Sequence, residues 1–249
     1  MKRILILGGT TEARRLAEGL ASRTDLAVTL SLAGRTAAPA AQAVPMRIGG
    51  FGGAEGLAAW LEEQAIDAVI DATHPFASQM SRHAKVACRA EATPLVVFTR
   101  PAWLPQGGDG WSEVERIEDA VAALGAEPRR VFLTQGRLQL GAFAVAPQHL
   151  YVVRAIDPPA DIAALPRRRL ILARGPFGLE DEIALLRQEA IEILVSKNSG
   201  GAATYPKIEA ARQRGVKVVM LKRPPSGGAP ALHDLAATLA WIEAHRPAP

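Results

Sequence analysis

Several residue types are scarce in this 249-residue chain, and each scarcity excludes a class of function. There is one cysteine, Cys88, which rules out an internal disulfide framework and a thiolate metal cage. No His, Cys, Asp or Glu set has the spacing of metal ligands, so no metal is expected. Aromatic residues make up only 5% of the chain and the basic residues are scattered. Stacking platforms for single strands are therefore thin, and nucleic acid is not an expected partner. No apolar run approaches the ~18 residues of a membrane span. The opening Met1-Lys2-Arg3 is followed by only four apolar residues before two glycines, unlike a secretory leader. A cytoplasmic protein with no membrane partner is expected. Ser199 lacks the G-x-S-x-G setting of a hydrolase nucleophile, which argues against serine hydrolysis.

What is present is an Ala/Leu/Val-rich globular composition, 49% hydrophobic and 22% charged, with a net charge of +4. A pI near 9.6 suits an anionic small molecule. Nine short apolar runs read as strands: residues 4–7, 26–30, 68–70, 95–98, 131–133, 150–153, 170–172, 193–195 and 216–221. Between many of them lie amphipathic helical stretches over residues 11–23, 54–64, 78–92, 179–190 and 203–214. Continuous apolar strands alternating with helices predict an α/β fold whose mainly parallel sheets are covered on both faces. Residues 100–112 contain two Pro, three Gly and two Trp without periodicity, and mark the boundary between lobes. The expected architecture is two Rossmann-like lobes, 1–104 and 105–249, with an interlobe cleft; a last helix over residues 232–245 suits either lobe. Cys88 lies on a helical stretch and reads as a small core residue.

The first strand runs directly into Gly8-Gly9-Thr10-Thr11-Glu12-Ala13. The Gly pair allows a tight turn, and Thr10 or Thr11 can cap the helix that follows. Free N–H groups at a helix start favour an anion, so this segment predicts a phosphate cradle for a nucleotide. It matches only the turn and the helix start of the G-x-G-x-x-G fingerprint. In NAD sites an acidic residue after the second strand takes the ribose 2′-hydroxyl. No Asp or Glu lies between Val28 and Gly53, and Ser31 and Arg35 stand there instead. A hydroxyl and a guanidinium suit the 2′-phosphate of NADPH, the alternative for Arg35 being a solvated loop charge.

Ligands of open α/β sheets bind outside the carboxyl ends of the strands. Four of those ends carry Thr, Ser, Arg, Lys or His beside Gly or Pro. They are Asp71-Ala72-Thr73-His74-Pro75-Phe76-Ala77, Thr134-Gln135-Gly136-Arg137, Ala173-Arg174-Gly175-Pro176-Phe177 and Ser196-Lys197-Asn198-Ser199-Gly200-Gly201. His74 is either a proton donor or a local cap, and Asp71 is better suited to ordering the turn than to acting as a base. In the last segment, glycines beside Lys197 and Ser199 form an anion nest with a point charge next to it, or else a plain turn at Gly200-Gly201. Thr204-Tyr205-Pro206-Lys207 follows shortly after.

Taken in order, the segments 8–13, 71–77, Thr99-Arg100-Pro101, 173–177 and 196–201 resemble the precorrin-6A reductase family of corrin-ring biosynthesis, including its cobalt-precorrin members. The resemblance extends over nearly the whole chain. It implies NADPH as cofactor and a precorrin macrocycle, bearing acetate and propionate arms, as substrate. On that reading Gly8, Gly9, Thr10, Thr11, Glu12, Ser31, Arg35 and Thr73 are expected at the cofactor. Arg174, Ser196, Lys197, Ser199, Gly200, Gly201 and Lys207 are expected at substrate carboxylates. His74, Tyr205 or a water is expected to supply the proton. Alternatives are a reductase of another anionic molecule and a nucleotide sensor without turnover. Oligomeric state is not legible in the sequence.

Overall fold

The computed structural model describes residues 1–34, 41–134, 139–225 and 228–245. It divides into two compact units, one formed by Met1–Pro101 with Pro224–Pro249 and the other by Ala102–Arg223. The first contains β1 (Lys2–Leu7), α1 (Thr11–Leu20), β2 (Leu26–Leu32), β3 (Met46–Ile48), α2 (Ala54–Glu63), β4 (Ala68–Asp71), α3 (Ser78–Ala90) and β5 (Leu95–Phe98). The second contains β6 (Trp111–Val114), α4 (Ile117–Ala122), β7 (Arg130–Leu133), β8 (Leu150–Ala155), β9 (Arg168–Leu172), α5 (Leu179–Gln188), β10 (Ile193–Lys197), α6 (Pro206–Arg214) and β11 (Lys217–Leu221). The chain then returns to the first unit with β12 (Ala231–Leu232) and α7 (Leu235–Ala244).

Each unit has one six-stranded sheet, ordered β12-β5-β4-β1-β2-β3 and β6-β11-β10-β7-β8-β9, with every strand pair parallel. The two orders are the same pattern. β1 lies between β2 and β4, and β7 between β8 and β10, so a switch point opens between β1 and β4 and again between β7 and β10. One edge strand of each sheet breaks the pattern: β6 precedes the other strands of the second sheet and pairs with β11, the last of them, and β12 returns to the first sheet beside β5.

The near-continuous apolar strands follow from burial on both faces. Along β1, Ile4 and Ile6 pack with Leu16, Leu20 and Ile242, on α1 and α7. The intervening Leu5 and Leu7 pack on the opposite face with Leu57, Leu61, Ala84 and Cys88, on α2 and α3. Burial, with a smaller contribution from the Asp71 charge, pushes the Cys88 thiol up to about 12, so it stays protonated as a core residue. The second core gathers Phe132, Val152, Leu194, Val218 and Met220 from the sheet against Leu186, Ile208 and Ala211 from the helices.

The last helix belongs with the first unit, whereas the expected second lobe extended to residue 249. Trp241 and Leu239 pack on the first core, and the buried Lys2 ammonium donates to Ile242 O at 2.8 Å and to His245 O. Within residues 100–112, expected to be linker, Trp111 and Ser112 begin β6 and pair with β11. Gln106 N–H donates to Asp109 Oδ2 at 2.6 Å, and Arg212 Nε donates to Asp109 Oδ1 at 2.8 Å. The Arg167, Arg168 and Arg169 run is likewise structural. Arg167 and Arg168 donate to the Gln148 and Leu165 carbonyls, and Arg169 pairs with Glu189 at 2.6 Å.

Candidate functional site

The switch point of the first unit is built from the loops after β1 and β4. Gly8 N–H donates to Ser31 O at 2.9 Å, and a Cβ on Gly8 would stand 2.6 Å from Leu30 Cδ1. Gly8 is therefore required by packing against β2. Gly9 is required by conformation: its φ is +114°, and a Cβ there would meet nothing within 4 Å. The Thr10 side chain accepts from Ala13 N–H at 3.1 Å and donates to Ala72 O at 2.7 Å. It thus caps α1 and ties that helix start to the end of β4. The N–H groups of Gly9, Thr10, Thr11 and Glu12 have no acceptor among the described residues. Four donors around an open space at a helix N-terminus make an anion cradle.

Glu12 bears a carboxylate in the first turn of this cradle, and Arg100 Nη1 meets its Oε2 at 2.7 Å, with both side chains largely buried. The pairing offsets a negative charge that would otherwise oppose a phosphate. Arg100 follows β5 and was not assigned a role in the sequence reading. The signal was its place after an apolar strand and before Pro101, a pattern repeated at Arg223-Pro224 after β11.

After β4, the buried Asp71 accepts from Thr73 Oγ1 at 2.6 Å and from Thr73 N–H at 3.1 Å. Asp71 orders the turn, and its hold on Thr73 fixes that hydroxyl. His74 Nδ1 accepts from Phe76 N–H at 3.2 Å, so in the neutral imidazole Nε2 carries the proton. Ser31 is buried on β2 and its hydroxyl accepts from Arg47 Nη1 at 2.9 Å, a partner the sequence reading missed. Arg35 lies outside the described residues.

The corresponding switch point of the second unit holds the loop after β10. The Asn198 amide pairs with both backbone groups of Trp103, accepting from its N–H at 2.8 Å and donating to its carbonyl at 2.9 Å. Trp103 Nε1 donates to Gly201 O at 2.9 Å. Arg223 donates from Nε to Asn198 O at 2.8 Å and from Nη2 to Ser199 O at 3.0 Å. The loop carbonyls are thus held by protein donors. Gly200 and Gly201, at φ +67° and +77°, keep N–H groups that have no acceptor among the described residues. Ser196 is buried with its hydroxyl donating to Lys197 O at 3.2 Å, Ser199 is buried, and Lys197 is half-buried at the end of β10.

Two candidates beyond this loop are engaged inside the fold. Lys207 is buried, donates to Thr204 O at 3.0 Å and lies 5.0 Å over the Trp103 ring. Tyr205 accepts from Arg212 Nη2 at 2.7 Å, with its ring centroid 5.8 Å from that of Trp103. Both brace the loop. Arg174, after β9, is exposed and has no hydrogen bond or ion pair among the described residues. Its segment is anchored by Phe177, on which the buried Arg154 guanidinium stacks at 3.7 Å while pairing with Glu182 at 2.7 Å.

With this geometry in hand, comparison with known proteins gives a consistent result. Residues 3–243 match the family model described as precorrin-6x reductase CbiJ/CobK. The chain is 51% identical over 221 residues to a Sinorhizobium protein named precorrin-6A reductase, covering 89% of this chain and 85% of that one. It is 46% identical over 249 residues to the precorrin-6A reductase of Rhodobacter capsulatus, covering 100% of this chain and 99% of the relative. A solved structure described as CobK precorrin-6A reductase superposes with a TM-score of 0.93 at 45% identity, covering 100% of this chain and 99% of that one. The chain belongs to the precorrin-6x reductase CbiJ/CobK family.

Proposed function

We propose that this protein reduces precorrin-6A to precorrin-6B with NADPH, in the cytoplasm, as a step of cobalamin biosynthesis. The observation that carries the reading is full-length similarity to precorrin-6A reductases, joined to a first-unit cradle with four outward N–H groups. The residues present fit a dinucleotide phosphate: the space beside Gly9 is open, and Arg100 offsets the one carboxylate in the cradle. When bound, NADPH supplies the hydride. Gly9, Thr10, Thr11 and Glu12 would hold its diphosphate through backbone N–H groups, the Thr10 hydroxyl tying this loop to Ala72 O, and Thr73, held by Asp71, would meet the cofactor from the loop after β4.

The second unit would hold the substrate. The Gly200 and Gly201 N–H groups, Lys197, Ser199 and the exposed Arg174 suit the carboxylates of acetate and propionate arms. Reduction adds one hydride and one proton across a macrocycle double bond. His74, after β4, would deliver that proton only as the imidazolium, returning to the neutral ring, with water as the alternative. Tyr205, tied to Arg212 and Trp103, contributes by bracing the substrate loop. The test is NADPH oxidation by purified protein on addition of precorrin-6A. Oxidation that depends on precorrin-6A supports the reading, and NADP binding without turnover would favour the sensor alternative.

A further inference from the structure

We infer that Arg47, on the short edge strand β3, reads the 2′-phosphate of the cofactor and so sets the preference for NADPH over NADH. The inference rests on the cofactor reading above and adds a residue to it. β3 pairs with β2 in a register that sets Arg47 beside Ser31, where the second strand of a dinucleotide fold meets the adenosine ribose. The guanidinium is fixed before any ligand arrives. Nη1 donates to Ser31 Oγ at 2.9 Å and to Gly49 O at 3.1 Å, and Nη2 donates to Gly50 O at 3.1 Å. One face of the guanidinium stacks on the Phe51 ring at 3.8 Å.

Three of its five N–H donors are used in this way. The remaining two, on Nε and Nη2, form the side-on pair of the guanidinium fork, matched to two oxygens of one phosphate. No carboxylate among the described residues pairs with it, although it is half-buried and burial lowers its pKa. Arg154 and Arg212, by contrast, each meet a carboxylate, Glu182 at 2.7 Å and Asp109 at 2.8 Å. Arg47 is instead held by neutral oxygens and an aromatic face, and keeps its full charge for an external anion. The bland alternative is that Arg47 only fastens residues 49–51.

Calorimetric titration of NADP and NAD, and of 2′-AMP and 5′-AMP, into wild-type, Arg47→Gln, Arg47→Lys and Arg35→Ala proteins separates these readings. Arg47→Gln should weaken NADP and 2′-AMP by roughly 10- to 100-fold, the effect of losing a charged hydrogen-bond pair. NAD and 5′-AMP affinities should stay close to wild type. Arg47→Lys, a point charge without the fork, should fall between, and guards against a folding defect in the glutamine variant. Equal weakening of NADP and NAD would assign Arg47 to fastening the loop and overturn the inference. So would retention of the full NADP preference by Arg47→Gln, above all if Arg35→Ala abolished it. Wild-type protein showing no preference for NADP would instead overturn the NADPH reading itself.

Discussion

The neighbouring glycines of the first loop allow packing and ligand contact to be separated with two alanine substitutions. Gly8→Ala places a Cβ 2.6 Å from Leu30 Cδ1 and 3.2 Å from Leu32 Cδ2, inside the first core. Overpacking of that kind costs about 1–3 kcal/mol of stability. Gly9→Ala meets no atom within 4 Å but must hold φ near +114°. Strain at such a backbone position costs about 1–3 kcal/mol. The two variants should therefore unfold at similarly lowered urea concentrations. Their cofactor behaviour should differ, because the Cβ of Gly8 points into Leu30 and that of Gly9 into the open space of the cradle. Loss of one charged hydrogen bond to the diphosphate, worth about 1.5–3 kcal/mol, predicts roughly 10- to 150-fold weaker NADP binding for Gly9→Ala. Gly8→Ala should bind nearly as wild type. The assay is calorimetric titration paired with urea unfolding, with and without NADP. Saturating ligand should raise the midpoint of Gly8→Ala, by about 2.7 kcal/mol of stability at a hundredfold excess over Kd, and scarcely move that of Gly9→Ala. Equal NADP affinity in the two variants would show that the cradle is not where phosphates bind.

Other consequences follow from the second unit. Lys197→Ala should weaken precorrin-6A binding or turnover by about 2 kcal/mol, with NADP affinity nearly unchanged; a large loss of NADP affinity with the substrate constant intact would reverse the assignment of the units. Asn198→Ala removes a buried amide and leaves both Trp103 backbone groups without their partners. Each buried unsatisfied group costs about 1–3 kcal/mol, so the urea midpoint should drop clearly, and an unchanged midpoint would refute the bracing role. His149 is fully buried and its pKa is lowered chiefly by desolvation. The unfolded chain then binds the proton more readily than the folded one. Its contribution to stability is present above about pH 6.5, the unfolded value, and is lost as pH falls below it. Replacing His149 by Gln should flatten that part of the stability–pH curve, and an unchanged slope would mean another group is responsible.

Much of the fold was legible because burial on both faces writes strands as unbroken apolar runs. Ile4 to Leu7 fills two cores at once, and that demand shows directly in the residue types. Helices with a buried stripe were found with little error at the start: Thr11, Ala54, Ser78 and Leu179 all begin helices where the pattern placed them. The missed elements are the six-residue helix α4 and three edge strands. β3 reads Met46-Arg47-Ile48 and β12 has two residues; β6 begins among the glycines and prolines of the segment taken for a linker. An edge strand buries little, so pairing fixes it and composition hardly marks it. The carboxyl-end loops were legible as a group because polar, Gly-rich segments directly after apolar runs are informative in an α/β chain. Partners within them were not. Nothing local in the sequence joins Arg100 to Glu12, Arg223 to residues 198 and 199, or Asn198 to Trp103, since these bonds depend on which strands lie adjacent. Lys207 and Tyr205 carried groups suited to a site, yet the start of α6 turns both into the fold beside Trp103.

The most direct test of the account is the transfer of label from cofactor to macrocycle. NADPH carrying deuterium at both C4 positions of the nicotinamide is incubated with the protein and precorrin-6A, and the product mass is read. The account predicts precorrin-6B carrying one deuterium from the cofactor, with one NADPH consumed for each macrocycle reduced. NADPH consumption with no deuterium in the macrocycle, or no reaction by a protein that binds NADP tightly, would contradict it.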